Sequence, residues 1–189
     1  MNPIATALPE VRLIRPRRIG DARGWFAELW NARSFAAAGI DAAFVQDNAS
    51  FNAAAGTVRG LHFQRPPSAQ GKLVWVAEGA MYDVVVDLRH GSPTFGRHAA
   101  ATLSAAEGEQ LWVPEGFAHG YCTLAPGTRV VYKVTRFYDP AAEGGLRFDD
   151  PALGIEWPVD PRQVVISERD RALPRLSELP PAFRYGEPR

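Results

Sequence analysis

The chain has 189 residues, 46% of them hydrophobic, which suits one domain with an ordinary buried core. Lys+Arg and Asp+Glu number 21 each, so there is no basic excess for nucleic acid or an anionic membrane surface. A single cysteine, Cys122, excludes an internal disulfide and fits a cytoplasmic location; no apolar run approaches the ~18 residues of a membrane span, and the N-terminus has no signal-peptide pattern.

In chain order the pattern is mostly β. Residues 11–19 read as a first strand and 24–30 as a second. The Ala-rich run 31–39, closed by Gly39, reads as a short helix. Short β runs follow at 43–51, 56–64, 72–77, 80–88, 97–103, 109–113, 119–124 and 128–138, separated by turn signals such as AEGA, HGSPTFG, PEG and APGT. About ten short strands at this spacing point to a sandwich or barrel. The tail from 158 to 189 is Pro-rich and irregular, with one helical turn at 167–173, and is expected to pack along the outside.

Two segments carry chemistry. RGLHFQRPPSAQGK puts His62 on an apolar strand between two cations, Arg59 and Lys72; these can hold an anion while the imidazole moves a proton near neutral pH. Only two of the 21 cations are lysines, Lys72 and Lys133, which draws attention to Lys72. In an ideal strand Arg59 and His62 point to opposite faces. If both serve one site the strand must bend between them, and Gly60 is the residue that permits it.

A two-residue turn at Glu78–Gly79 would make 72–88 a hairpin and put Lys72 diagonal to Asp83. The two could pair inside the barrel or on its solvent face. The strand RVVYKVTRFY places Tyr132 and Tyr138 on one face. A tyrosine facing an interior that already holds a base is a candidate proton donor.

The second segment, GEQLWVPEGFAHG, resembles the second-half signature of the cupin jelly roll, with His119 entering the next strand toward the interior. Metal-binding cupins carry a His-x-His pair in the first half; here the stretch reads His62-Phe63-Gln64. Two histidines alone make a poor divalent-ion site, so no metal is expected, which disfavours a metal-dependent dioxygenase. A sugar-nucleotide-binding module without catalysis remains a third reading.

DARGWFAELW, VQDNAS, RGLHFQ, QGKLVWVAEGAMYDVVVDLR, SPTFG, QLWVPEGFAHG, VYKVTRFYDP, AAEGG and GIEWP recur in order. Through them the chain resembles the dTDP-4-dehydrorhamnose 3,5-epimerases. The resemblance implies an all-β cupin-type jelly-roll barrel with short peripheral helices, no cofactor, a dTDP-4-keto-6-deoxyhexose substrate and a homodimer exchanging N-terminal strands. It makes His62 the general base, Asp170 its orienting carboxylate, Tyr132 the acid on the opposite face, and Lys72 the cation at the 4-keto oxygen. Arg23, Glu28, Gln46, Asn48, Arg59, His119, Glu143 and Arg169 match nucleotide- and sugar-binding positions, and Phe26 and Tyr138 ring contacts. Arg169 stands where relatives often carry Lys. A mono-epimerase, acting at C3 or C5 only, is the sister activity.

Overall fold

The computed structural model of the chain describes residues 3–186. Its strands in chain order are β1 (Ile4–Ala5), β2 (Arg12–Ile14), β3 (Arg18–Asp21), β4 (Gly24–Ala27), β5 (Gln46–Asn52), β6 (Val58–Gln64), β7 (Lys72–Glu78), β8 (Ala80–Asp87), β9 (Arg89–His90), β10 (His98–Ser104), β11 (Gln110–Val113), β12 (Phe117–Thr123), β13 (Thr128–Val134), β14 (Glu143–Gly145) and β15 (Phe183–Arg184). Helix α1 spans Ala32–Ala37 and α2 spans Glu168–Arg171. Asn31 caps α1 by accepting from the Arg33 and Ser34 amides.

Two antiparallel sheets make the body: a six-stranded one ordered β1-β2-β11-β7-β13-β5 and a five-stranded one ordered β10-β8-β12-β6-β14. From β5 to β8 and again from β10 to β14, successive strands alternate between the sheets, the crossing pattern of a jelly roll. The alternation of side chains then divides each strand between a shared interior and an outer face. Val74 and Val76 of β7, Met81 and Val85 of β8, Phe117 and Tyr121 of β12, and Val130 of β13 pack together between the sheets.

Both outer faces are covered. Leu61, Phe63, Val84 and Val86 pack under the C-terminal segment through Leu153, Trp157, Leu176 and Phe183. Leu73 and Trp112 on the other sheet pack under Phe35 of α1, with Ile40 and Phe44 from the run that follows. The described part of 158–189 is therefore not wholly irregular: it contains α2, a 3-10 turn at Leu176–Glu178, and β15, which pairs with β9.

Three expectations are corrected. The strand at 11–19 is two strands, because Pro16 has no amide to donate to a ladder. The strand at 128–138 stops at Val134, so Tyr138 arrives on a loop. And 72–88 is no hairpin: β7 and β8 belong to different sheets. Only Gly79 separates them, with φ +82° and a virtual Cβ 2.4 Å from Thr128 Oγ1, so the chain turns a corner that no side chain fits.

Candidate active site

The site is built around an irregularity in β6. Val58 and Leu61 face outward, into two outer clusters. Two outward residues three apart cannot occur in a regular strand. The register with β12 shifts here: His119 pairs with His62, but Tyr121 pairs with Arg59. Gly60 absorbs the shift at φ +117°, with a virtual Cβ 2.7 Å from Gly120 Cα. Thus the bend expected from parity exists, and Arg59 and His62 share the inner side.

The same bend positions His62. The Gly60 amide donates to Asp170 Oδ2 at 3.1 Å, and Asp170 Oδ1 lies 2.8 Å from His62 Nε2. Asp170 is held in α2, whose cap Ser167 accepts from its amide at 3.1 Å. Burial raises the pKa of this carboxyl, but the bonds from His62 and Gly60 outweigh burial and hold it below the ordinary value. An ionised Asp170 keeps a proton on Nε2, which leaves the Nδ1 lone pair of neutral His62 available as a base.

His62, Lys72, Tyr132, Tyr138, Glu143, Gln46 and Asn48 line one cavity of about 270 Å³. His62 comes from the five-stranded sheet and Tyr132 from the six-stranded one, so imidazole and phenol enter from opposite walls. Burial, followed by the neighbouring Tyr121, raises the Tyr132 pKa, so this phenol carries its proton at neutral pH. Lys72 is buried, with Nζ 3.4 Å from the His62 carbonyl oxygen. Burial pulls its pKa down to about 8, against the opposing pull of Asp83 and Glu143.

Around the mouth, the Tyr138 hydroxyl donates to Glu143 at 2.7 Å and its amide to Gln46 Oε1 at 3.1 Å. Gln46 in turn donates to Asn48 at 2.8 Å. Arg169 forms an ion pair with Glu143. Burial pushes the Glu143 carboxyl up, but Arg169 and Tyr138 together bring it below its usual value. Arg59 donates from Nε to Asn52 at 2.9 Å, and its charge reaches both Tyr121 and Tyr132.

His119 lies deeper. Its Nε2 is 2.6 Å from Asp83 Oδ1, and both groups are buried. Asp83 is thus interior, as one of the two sequence alternatives had it, but its hydrogen-bond partner is His119 rather than Lys72. With Nε2 of each histidine on a carboxylate, no cluster of three or more His, Cys, Asp or Glu among the described residues is disposed to hold a metal ion.

Arg23, Phe26 and Glu28 are not brought to this cavity within the chain. The first two lie on the β3–β4 hairpin and the third just after it. Arg23 pairs with Asp21, and Glu28 accepts from Asn31 at 3.0 Å. The hairpin exposes Ile19, Trp25 and Phe26 to solvent.

Sequence reasoning also missed members. Phe63, Gln64 and Gln70 line the cavity. Gln64 stands where a metal cupin has its second histidine. Here its amide donates to Ser68 O and Phe137 O, and its Oε1 accepts from the Asp139 amide at 2.8 Å. That position has become a stitch between two loops, and the missing imidazole was its only signal. A larger cavity of about 700 Å³ lies elsewhere, beside Arg89 and Tyr185. Its buried Arg89 is already engaged by Asp87 and Glu10, whereas the smaller cavity brings His62, Tyr132 and Lys72 together.

Comparison with known proteins shows the family. The family model described as dTDP-4-dehydrorhamnose 3,5-epimerase matches residues 5–178. A Sinorhizobium fredii protein called dTDP-4-dehydrorhamnose 3,5-epimerase is 51% identical over 95% of this chain and 91% of its own length. A Legionella pneumophila dTDP-6-deoxy-D-glucose-3,5-epimerase, solved with dTDP-4-keto-L-rhamnose, superposes with TM-score 0.93 at 40% identity, covering 98% of this chain and 99% of that one. A Bacillus anthracis dTDP-4-dehydrorhamnose 3,5-epimerase, solved with TDP and pyrophosphate, gives 0.89 at 47% identity over 92% and 98%.

Proposed function

The chain belongs to the dTDP-4-dehydrorhamnose 3,5-epimerase family, and from that premise we infer how its residues do the work. The enzyme epimerises C3 and C5 of dTDP-4-dehydro-6-deoxy-D-glucose, giving dTDP-4-dehydro-L-rhamnose. The 4-keto group acidifies the hydrogens on both flanking carbons. His62 removes a proton from one face through Nδ1, while Asp170 fixes the tautomer and steadies the imidazolium that forms. Charge then develops on the C4 oxygen, where the Lys72 ammonium stabilises the enolate. Tyr132 returns a proton to the carbon from the opposite face, and the configuration inverts. No redox step or cofactor is required by this sequence of proton transfers.

The observation that carries this reading is the one cavity that His62 and Tyr132 enter from opposite sheets, with Lys72 also in its lining. Arg59, Gln46, Asn48, His119, Glu143 and Arg169 bind the nucleotide and sugar, and Tyr138 lies against a ring. Arg23, Phe26 and Glu28 act on the neighbouring subunit: the exposed apolar hairpin of one chain completes the cavity of the other in a strand-exchanged homodimer. The lone buried thiol of Cys122 fits a cytoplasmic enzyme.

Turnover in deuterated water tests the chemistry. Deuterium should enter at both C3 and C5; incorporation at neither refutes the reading, and at one alone points to a mono-epimerase. Subunit exchange tests the dimer: mixing inactive R23A and H62N proteins should restore a fraction of activity, because some cavities then draw both native residues. No recovery after verified exchange would place the hairpin outside its neighbour's site.

A further inference from the structure

Asp83 has no part in the scheme above, yet it is wholly buried beside it. Lys72 continues the inward row of Val74 and Val76 on β7, and Asp83 stands between the inward residues Met81 and Val85 on β8. These rows pack against each other, so ammonium and carboxylate face the same interior. One Asp83 oxygen is bonded to His119, while the other, Oδ2, has no hydrogen-bond partner among the described residues. A bare buried carboxylate oxygen is unfavourable unless nearby charge compensates it.

Among the described residues, the titratable groups around Lys72 are Asp83 on β8, Glu143 on β14, His62 on β6 and Tyr132 on β13, with His119 on β12 bonded to Asp83. Only two of them are carboxylates, and Glu143 is already committed to Arg169 and Tyr138. Asp83 is the anion left to balance the ammonium.

Resting on the role given to Lys72 above, we propose that Asp83 is a positioning residue of the epimerase: its charge keeps Lys72 protonated in the dry interior, while its other oxygen holds His119. Burial alone drives an amine toward its neutral form. A neutral Lys72 could offer the enolate a weak hydrogen bond but no opposing charge, so the oxyanion would lose its main stabilisation.

Lysine scarcity makes the test direct. The chain has two lysines, Lys72 and Lys133, and Lys133 is paired with Asp47 away from the cavity. Protein labelled with ¹³Cε-lysine gives two side-chain signals, and K133R assigns them. The Lys72 signal should titrate near pH 8 in the unsubstituted enzyme. In D83N, which keeps the shape and removes the charge, its midpoint should fall by about one unit, a tenfold change in proton affinity. The alkaline limb of kcat should move down with it while KM changes less than about threefold.

An unmoved Lys72 midpoint in folded D83N overturns the proposal. Should D83N not fold, the ¹³C carboxyl signal of Asp83 in the unsubstituted protein decides: it should shift as Lys72 loses its proton near pH 8, and a carboxyl signal that does not follow the Lys72 midpoint refutes the proposal. None of these signals needs turnover, so they separate a failure here from a failure of the epimerase reading, which deuterium incorporation tests.

Discussion

His62 and His119 are direct partners on adjacent strands, and each holds a carboxylate through Nε2. Their surroundings differ. The His62 side chain is 33% exposed and opens on the cavity, whereas that of His119 is 8% exposed. The His62 carboxylate comes from α2, far along the chain, and is itself tethered by a backbone amide of β6. The His119 carboxylate comes from the next strand and keeps one oxygen unpaired. In the proposed mechanism the same pair of side chains serves as a base in one place and as an electrostatic anchor in the other. Access and backbone support decide which, not the identity of the groups.

Substitutions can break this contrast, and the largest effect should come from the open pair. H62N should lower kcat by about 10³-fold or more, the upper range for a lost general base, and abolish deuterium uptake at both carbons. If H119N fell as far, and H62N less, the assignment of base and anchor would be reversed. Next is Gly60→Ala, which touches both pairs, since its methyl would press on Gly120 and on the His119 carbonyl. A loss of about 3 kcal/mol or more in urea unfolding is expected, with activity lost alongside; native stability would show that the bend tolerates a side chain.

D170N sharpens the comparison through pH. The Asp170 pKa is lowered in the folded protein, so its stabilising effect is complete above the ordinary carboxyl value, near 4, and fades as pH falls through the depressed folded value. The native enzyme should lose stability across that acid window more steeply than D170N, while D170N at neutral pH should lose about 10²-fold in kcat. Parallel acid unfolding curves would mean that His62 and Gly60 do not hold the ionised form. The smallest effect is reserved for H119N, expected to raise KM by about tenfold with kcat reduced less, as for a group that binds rather than transfers protons.

Much of this was readable beforehand, and the reasons differ by residue. The bend at Gly60 followed from parity, because Arg59 and His62 cannot share a face in an ideal strand. The helix at 31–39 followed from its alanines and the closing Gly39, and the structure adds the caps Asn31 and Ser167 on the two helices. The 72–88 segment misled because Glu-Gly between β runs marks a reversal without saying whether the chain returns beside itself or crosses to a facing sheet. That choice is made by distant packing, here Thr128 against Gly79. For the same reason Asp83 was matched to Lys72 in the plane of one sheet. The two instead face each other from opposite sheets, and the hydrogen-bond partner of Asp83 is a histidine 36 residues away. The hairpin residues Arg23 and Phe26 were identifiable only by resemblance, since nothing local in their pattern points to a ligand.

The helix that carries Asp170 has a consequence for how competence is acquired. The barrel strands are complete by Gly145, yet the imidazole is aligned only when residue 170 docks behind it. The stretch that follows Gly145 also covers the outer face of the five-stranded sheet through Leu153, Trp157, Leu176 and Phe183. One segment therefore both seals the barrel and holds His62 in line, and a chain shortened there would forfeit the two together.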